Sequence, residues 1–323
     1  MAARRIPSPS IVIEWETARA CSGERAVIGL SALCEQLWQL AERMQDAAEV
    51  VITHDPVENS QDALRSLVAS AGGMRGWPIA VRIVPVPAGT DYYGHKNFGF
   101  LLTRNEVVVF LDSDLIPDAG WLEQMLEPLC NFRSSVVVGN TYIETTSLYS
   151  RCVALFWIFE PRCTTPVVRR TARLVSNSVA IRRALFSAFP FPIRPTFRGQ
   201  CSELAATLRS KGISLFLNSA AQAAHPPPSG WLKFIERAVF AGHDECTYRR
   251  LDGPVRVREA FAQFGTDLRA VRRRIEARRR SVRSGPGTVL LAACLGIAYY
   301  TLKLTGFLWT LASPTAIRRA FQS

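Results

Sequence analysis

The sequence predicts an α/β fold, with a mostly parallel sheet that carries helices on both faces and a separate helical segment at its C-terminal end. Three observations predict it. Apolar runs of strand length alternate with stretches of helical apolar spacing over residues 10–144. The runs are almost continuously apolar, as in strands that are covered on both faces. Several of them end abruptly in polar residues.

The predicted elements follow in chain order, and the strands share a high content of β-branched residues. The predicted strands are residues 10–13, 48–55, 79–87, 106–112 and 134–144. Helical spacing separates or follows them at residues 26–43, 62–71, 94–104 and 120–129. The second half is less regular. It predicts a strand and then a helix over 176–190, a helix over 201–212, and a strand within 213–228.

Positive charge is concentrated in one stretch of the chain. The 323 residues carry a formal net charge of +12, and much of the excess lies in "LRAVRRRIEARRRSVRS", residues 268–284. Anionic lipids attract such a segment by about 1 kcal/mol per basic residue. A solvated helix face is the ordinary alternative. No aromatic residues interleave the arginines, which argues against a nucleic-acid partner.

Residues 287–313 are predominantly apolar and hold one charged side chain, Lys303. A helix of this length rises about 1.5 Å per residue and reaches across a hydrocarbon core of roughly 30 Å. Lys303 lies far from either end, which weakens a spanning interpretation. An in-plane interfacial helix and a buried core helix both remain open. We expect a domain at 1–245, a basic helical linker at 246–286, a transmembrane or interfacial helix at 287–313 and a tail at 314–323.

Cysteine usage and the N-terminal residues predict a cytoplasmic location. The chain has eight cysteines, and no two have the C-x-x-C spacing of a zinc or redox motif. We expect them to be reduced thiols. The opening "MAARRIPSPS" has positive charge but lacks the apolar core of a secretory signal.

Acidic residues follow the predicted strands at the positions where they end. In "VVVFLDSDLIPDAGW", residues 107–121, a buried run stops at Asp112 and Asp114. Other polar residues at strand ends are Glu14, Glu16, His54 and Asp55. Ligands of open α/β sheets bind at this edge, and converging carboxylates repel each other unless a cation lies among them. The pattern therefore predicts Mg²⁺ or Mn²⁺ that bridges substrate phosphates. An isolated D-x-D is more often a turn or a cap.

Four segments at ordered spacing resemble family-2 glycosyltransferases of the GT-A fold, across residues 9–245. They are "EVVITHDPVENS", "YGHKNFGFLLTRNEVVVFLDSD", "SNSVAIRRALFSAF" and "RGQCSELAATLRSKGISLFLNSAAQAAH". The second contains the family's basic-Asn-x-Gly helix, a strand and the D-x-D. The last resembles the region that carries a Glu-Asp-x-Glu-Leu signature and a later histidine.

The resemblance implies a role for each matching residue. Asp55 corresponds to the acid that contacts the base, Lys96 to a basic residue near the nucleotide, and Asp112 to the acid near the ribose. Glu14 and Glu16 lie at the nucleotide end of the first strand, although "EWE" differs from the family's usual Pro-containing turn. Asp114 would bind the divalent ion at the diphosphate. His225 would join the metal or diphosphate site.

One departure from the family concerns the catalytic base. Gln200 and Cys201 stand where the family has Glu-Asp, and the aspartate is normally the general base. Cysteine is a poor substitute for it. Glu203 is the remaining acid and our candidate base, although an acid at a helix N-terminus is also favoured by the helix dipole. Either Glu203 is the base, or the acceptor site is unusual, or catalysis is lost.

We therefore expect a metal-dependent, inverting, hexosyltransferase-type enzyme. It would use a nucleoside diphosphate sugar and an unidentified lipid or saccharide acceptor at the cytoplasmic face of an anionic membrane. The alternative is a catalytically impaired nucleotide-sugar-binding or scaffold protein, which the Gln200-Cys201 pair motivates. A nucleotidyltransferase is less favoured, because no Gly- and Arg-rich loop lies near the first strand.

Overall fold

The computed structural model describes residues 5–20, 23–131, 134–314 and 317. These residues fall into two compact units. The first unit takes its described residues from Met1–Thr141, Cys163–Ile193 and Gln200–His225, and the second from Tyr142–Arg162, Arg194–Gly199 and Pro226–Ser323. The sequence-based boundary at residue 245 falls inside a continuous helix, Gly230–Asp252.

The strands of the described residues form one nine-stranded sheet. In chain order they are β1 (Pro9–Glu14), β2 (Glu49–His54), β3 (Ala80–Pro85), β4 (Val107–Asp112), β5 (Ile116–Pro117), β6 (Val136–Ile143), β7 (Val168–Thr171), β8 (Ser178–Arg182) and β9 (Leu215–His225). Their order across the sheet is β3-β2-β1-β4-β8-β6-β9-β5, and β7 pairs with β9. The predicted α/β fold class is confirmed.

The sheet is mixed, whereas the sequence predicted a mostly parallel one. Strands β3, β2, β1 and β4 run parallel. Strand β8 then runs antiparallel to both β4 and β6, and β9 runs antiparallel to β5 and β7. A strand that is buried on both faces is apolar whichever way it runs. Its composition therefore predicts the strand but not the direction of pairing, which depends on the connections.

The helices of the described residues vary from one and a half turns to more than seven. They are α1 (Gly23–Leu40), α2 (Gln61–Gly72), α3 (Tyr92–Leu101), α4 (Trp121–Leu126), α5 (Leu148–Phe156), α6 (Arg183–Ala188), α7 (Gln200–Ser210), α8 (Gly230–Asp252), α9 (Val257–Arg278) and α10 (Pro286–Ala312). The predicted linker at 246–286 contains all of α9, so it is largely helical.

Alternating side chains of the parallel strands feed two hydrophobic clusters, one on each face of the sheet. In β4, Val107 and Val109 belong to the cluster that includes residues of α1, α2 and α4. Val108 and Phe110 belong to the other cluster, with residues of α3, α6 and α7. The helices therefore cover both faces, as predicted, and the polar strand ends remain at the edge between the two layers.

The second unit is built on α5, α8, α9 and α10. Its main cluster contains buried residues of all four helices, such as Cys152, Phe234, Val271 and Leu295. Helices α8 and α10 approach so closely that a Cβ atom on Gly242 would lie 1.9 Å from the Lys303 carbonyl oxygen. Helix α10 is thus packed against its neighbours along one face.

Candidate active site

The carboxyl ends of β1 and β4 lie side by side in the first unit. The parallel register pairs Glu14 with Asp112, and β2 ends next to β1, where Glu14 pairs with Thr53. Acids that are separated by about a hundred residues in the sequence therefore meet at one sheet edge. This convergence is the one that the strand-end pattern predicted.

Asp112 is buried and held by two side chains from α3. The Lys96 ammonium lies 2.7 Å from Oδ1 of Asp112, and the Tyr92 hydroxyl lies 2.7 and 2.9 Å from the two carboxylate oxygens. Lys96 is fully buried, with its ammonium 4.8 Å from the centre of the Tyr92 ring. The structure thus pairs Lys96 with Asp112, and a direct contact of Lys96 with a nucleotide stays a prediction.

Glu14 is fully buried beside Asp112. Its carboxylate accepts hydrogen bonds from the Thr17 hydroxyl at 2.5 Å and from the Thr17 backbone N–H at 3.1 Å. Burial raises the pKa of Glu14 well above its usual range, and the negative charge of Asp112 raises it further, while Lys96 opposes both effects. Burial and Asp112 therefore favour the neutral form of Glu14, whereas a nearby positive charge favours its carboxylate.

Asp114, in the turn after β4, and His225, the last residue of β9, lie close together. Nε2 of His225 lies 3.6 Å from Oδ2 of Asp114, and both side chains are buried. The short ladder between β5 and β9 pairs Ile116 with Ala224 and so carries the end of β9 to the turn that follows β4. The two predicted metal ligands are thus brought together.

The donor set of this pair suits the predicted ion. A carboxylate oxygen and an imidazole nitrogen are both ligands of Mn²⁺, and a divalent ion of this type usually completes its shell with water and substrate phosphates. Two atoms 3.6 Å apart are close enough for one ion to touch both. In the part of the chain that the structure describes, no group of three or more His, Cys, Asp or Glu side chains forms a ready-made metal site.

Asp55 and Glu16 follow the ends of β2 and β1 at the same edge of the sheet. The carboxylate of Asp55 accepts the backbone N–H of Val57 at 2.8 Å and that of Gly89 at 3.1 Å. It therefore joins the loop after β2 to the loop before α3. Glu16 is half-buried. Nucleotide contacts by these two acids stay predictions.

The predicted base lies on α7, which begins at Gln200. Glu203 is half-buried in the first turn of this helix. Gln200 is fully buried, and the half-buried Cys201 packs against a hydrophobic cluster of the first unit. Cys201 thus has a packing role in this structure. The base role of Glu203 stays a prediction.

Sequence reasoning missed Tyr92, Thr17 and Ser113. The Thr17 hydroxyl lies 3.0 Å from that of Ser113 and so links the turn after β1 to the D-x-D turn. Tyr92 had a usable signal, because it lies four residues before Lys96 on one helix face. Thr17 and Ser113 had none, since a hydroxyl in a turn is ordinary.

Comparison with known proteins agrees with this architecture. The sequence model described as "Glycosyl transferase family 2" matches residues 30–182. No curated protein sequence matches the chain. Among solved structures, one match is the mannosyltransferase PcManGT from Pyrobaculum calidifontis in complex with GDP-Man and Mn²⁺. It shares 14% identity over 97% of this chain and 88% of that chain, with a TM-score of 0.57.

Two further solved structures are more distant. GalNAc-T7 with UDP, GalNAc and Mn²⁺ is 11% identical over 76% of this chain, with a TM-score of 0.47. The chain spans about half of it, 52%. A mycobacterial protein is 19% identical over 68% of this chain and 65% of that chain, with a TM-score of 0.40. Residues 30–182, which include β2 to β8 and the D-x-D turn, are therefore a glycosyl transferase family 2 domain, and the chain has the GT-A fold.

Proposed function

We propose that the protein transfers a hexosyl group from a nucleoside diphosphate sugar to an acceptor hydroxyl, with inversion at the anomeric carbon. The observation that carries the proposal is the buried pair of Asp114, in the turn after β4, and His225, the last residue of β9, with Nε2 of His225 3.6 Å from Oδ2 of Asp114. The similar fold of a mannosyltransferase in complex with GDP-Man and Mn²⁺ supports this donor class.

The strand-end residues would hold the donor. Asp55 would contact the base, Asp112 the ribose, and Glu14 and Glu16 the nucleotide at the end of β1. Lys96 would act through Asp112, since its ammonium is buried against that carboxylate. Asp114 and His225 would bind Mg²⁺ or Mn²⁺, which when bound neutralises charge on the diphosphate.

The transfer step needs a group that takes one proton. The acceptor oxygen forms a bond to the anomeric carbon while the bond from that carbon to the diphosphate oxygen breaks. The acceptor's proton passes to a carboxylate, and the electron pair of the broken bond leaves with the nucleoside diphosphate. We assign the proton to Glu203, because it is the acid of the "RGQCSEL" segment and is half-buried in the first turn of α7.

A donor panel tests the reaction class. The full-length protein is incubated with UDP- and GDP-hexoses in Mn²⁺, in Mg²⁺ or in EDTA, and the released nucleoside diphosphate is measured. Metal-dependent release from one donor is expected even with water as the acceptor. Metal-dependent binding of a donor with no turnover of any would support the nucleotide-sugar-binding or scaffold alternative instead. A protein that binds none of them would contradict both.

We also propose that the second unit places the protein on the cytoplasmic surface of an anionic membrane. Helix α10 is long and apolar enough to cross a membrane, with a mean hydropathy of 1.5. Its outward side forms an exposed stripe without charge, called here the α10 stripe. The stripe consists of Leu290, Cys294, Ile297, Thr301, Thr305 and Trp309.

Basic side chains lie in the segment just before α10, which begins at Pro286. Arg279, Arg280 and Arg283 line a shallow depression together with Ser284 and Gly285. Guanidinium groups bind lipid phosphates, and anionic lipids attract each by about 1 kcal/mol. An apolar stripe next to a basic cluster is the pattern of a helix that lies in the membrane interface.

The packing of α10 supports an in-plane position over a spanning one. Lys303, near its middle, is paired with Glu245 of α8 at 2.6 Å and with Asp267 of α9 at 2.7 Å. A spanning α10 would either break these pairs or draw two charged helices into hydrocarbon, where each charge costs about 2.5–3.5 kcal/mol on insertion scales. An in-plane helix keeps both pairs and presents only the α10 stripe to lipid.

Vesicle flotation tests this arrangement. The wild-type protein should float with phosphatidylglycerol vesicles more than with phosphatidylcholine, and alkaline carbonate should release it. Leu290→Glu with Ile297→Glu should abolish flotation, whereas Leu101→Glu, an equally exposed leucine at 70% exposure on α3, should not. Resistance to carbonate extraction would favour a spanning helix. A membrane role of the α10 stripe would be contradicted if the Leu101→Glu control lost flotation as fully as the double variant. It would also be contradicted if the wild-type protein did not float.

A further inference from the structure

We infer that Arg25 is a positioning residue for the metal pair, an inference that depends on the function proposed for Asp114 and His225. Arg25 lies in the first turn of α1. Its Nε donates a hydrogen bond to the backbone carbonyl of Asp114 at 2.7 Å. Its Nη2 donates to the carbonyl of Ala224 at 3.0 Å. One guanidinium thus holds the residue that bears one proposed ligand and the residue that precedes the other.

The two carbonyls lie at the end of a very short ladder. Strands β5 and β9 pair at only two positions, Ile116 with Ala224 and Pro117 with Ala223. Asp114 lies two residues before β5, so the ladder itself does not pair the backbone of Asp114 with β9. Arg25 extends the connection by joining the turn before β5 to β9 through a third element, α1.

Close helix packing fixes the position from which Arg25 acts. Gly29 follows Arg25 by four residues and so lies on the same face of α1. A Cβ atom at Gly29 would lie 2.3 Å from the carbonyl oxygen of Leu115, the residue after Asp114. The backbone of α1 therefore rests directly on the metal-binding turn, and this contact is independent of the guanidinium bonds.

An arginine suits this task better than a lysine. Its planar fork carries several N–H donors in fixed directions, and so it can reach two carbonyls at once. A metal pair must be held within about 0.5 Å of its binding geometry. Loss of a residue that orients metal ligands typically weakens metal binding about 10–100-fold.

The test compares Arg25→Gln with Arg82→Gln in the full-length protein. Arg82 is a matched control, because it also donates to a backbone carbonyl, that of Leu102, and it pairs with Glu49 at the opposite end of β2. Free Mn²⁺ is measured by electron paramagnetic resonance, with UDP or GDP present, and the thermal midpoint is measured on the same samples. Arg25→Gln should weaken Mn²⁺ binding about 10–100-fold. Arg82→Gln should leave the Mn²⁺ affinity unchanged, although its thermal midpoint should decrease by a similar amount.

Two further variants keep the test decisive if Arg25→Gln does not fold. Arg25→Lys retains one donor group and should give an intermediate affinity for Mn²⁺. Gly29→Ala displaces the same helix without touching Arg25 and should weaken Mn²⁺ binding in the same direction. Equal Mn²⁺ affinity in the wild type, Arg25→Gln, Arg25→Lys and Gly29→Ala would overturn the inference about Arg25 and leave the proposed metal site standing. A wild-type protein that binds no Mn²⁺ would overturn the proposed metal site and the inference with it.

Discussion

Each unit of this protein pairs a lysine with carboxylates, fully buried at Lys96 and half-buried at Lys303, and the two clusters are built differently. At the sheet edge, Lys96 faces Asp112, with Glu14 and Asp114 also buried nearby. In the helical unit, Lys303 lies between Glu245 and Asp267. There, Glu245 also binds Arg249 at 2.8 Å.

The difference lies in the balance of charge and in its consequence. At the sheet edge, buried acids outnumber the buried ammonium, and the pKa of Glu14 is raised by burial and by Asp112. In the helical unit, burial lowers the pKa of Lys303, but the charges of Glu245 and Asp267 outweigh it and the pKa is raised. An excess of acid at strand ends favours an incoming cation, whereas a balanced cluster between helices stabilises packing.

Removal of the proposed metal ligand Asp114 tests whether the acid-rich cluster at the sheet edge binds a cation. Asp114→Ala should abolish metal-dependent donor binding and leave the fold intact. The decrease in metal-dependent affinity should exceed the decrease of roughly 10–100-fold that is typical when a residue that only orients a metal ligand is lost. Calorimetry with Mn²⁺ and a nucleoside diphosphate measures it. Asp62→Ala, which removes an exposed carboxylate on α2, should bind like wild type. An unchanged affinity of Asp114→Ala would remove this aspartate from the metal site.

Glu203 tests whether an acid outside both clusters performs the chemistry. Glu203→Gln should lower the transfer rate by about 10²–10⁴-fold, the usual contribution of a positioned base. Donor affinity should be nearly unchanged, since the residues proposed to hold the donor lie at the strand ends and not on α7. Initial rates at saturating donor measure the change. Cys201→Ser should have a mild effect, because Cys201 packs in a hydrophobic cluster. An inactive Cys201→Ser together with a normal Glu203→Gln would refute the assignment.

Removing each lysine compares the two clusters directly. Lys96→Met should destabilise the protein by about 3–5 kcal/mol, because it leaves the buried Asp112 without its cation. Lys303→Met should cost less, because Glu245 and Asp267 are half-buried and Glu245 keeps its pairing with Arg249. Chemical denaturation measures this loss. Lys96→Met should also weaken nucleotide binding by freeing Asp112 and Tyr92, while Lys303→Met should not. Equal effects of the two variants on nucleotide binding would mean that the clusters do not differ in function.

The sequence predicted those parts of the fold that depend on local pattern. Strands β2 and β4 and helix α7 lie within one or two residues of their predicted bounds. The antiparallel half was not predicted, because an apolar run such as β8 has no signature of direction. Helix α5 was also missed.

The site, like the fold, has parts that the sequence predicts and parts that it does not. Strand-end acids are visible in the sequence, since each follows a buried run, and the structure brings Glu14 beside Asp112. The partners of these acids are not visible. The contacts of Tyr92 with Asp112 and of Arg25 with Asp114 depend on which helix packs over which strand end. Such contacts require the tertiary structure.

The smallest effect that we expect is a change of folding stability with pH, caused by the protonation of Glu14 at the sheet edge. Because burial and Asp112 raise the pKa of Glu14 in the folded state, the unfolded chain releases this proton first as pH rises above about 4.3. Folded-state stability should therefore be complete below that pH and should decline up to the folded pKa. The slope is at most about 1.4 kcal/mol per pH unit for one proton.

Glu14→Gln has no proton to lose, so its stability relative to wild type should increase between pH 5 and pH 8. Weaker bonds to Thr17 should lower its absolute stability at pH 5. Thermal midpoints across this pH range measure the difference, and Glu24→Gln, an exposed acid on α1, should run parallel to wild type. If Glu14→Gln also runs parallel to wild type, the sheet edge does not hold Glu14 as a neutral acid. The acid-rich cluster would then resemble the balanced one around Lys303 more closely than its geometry indicates.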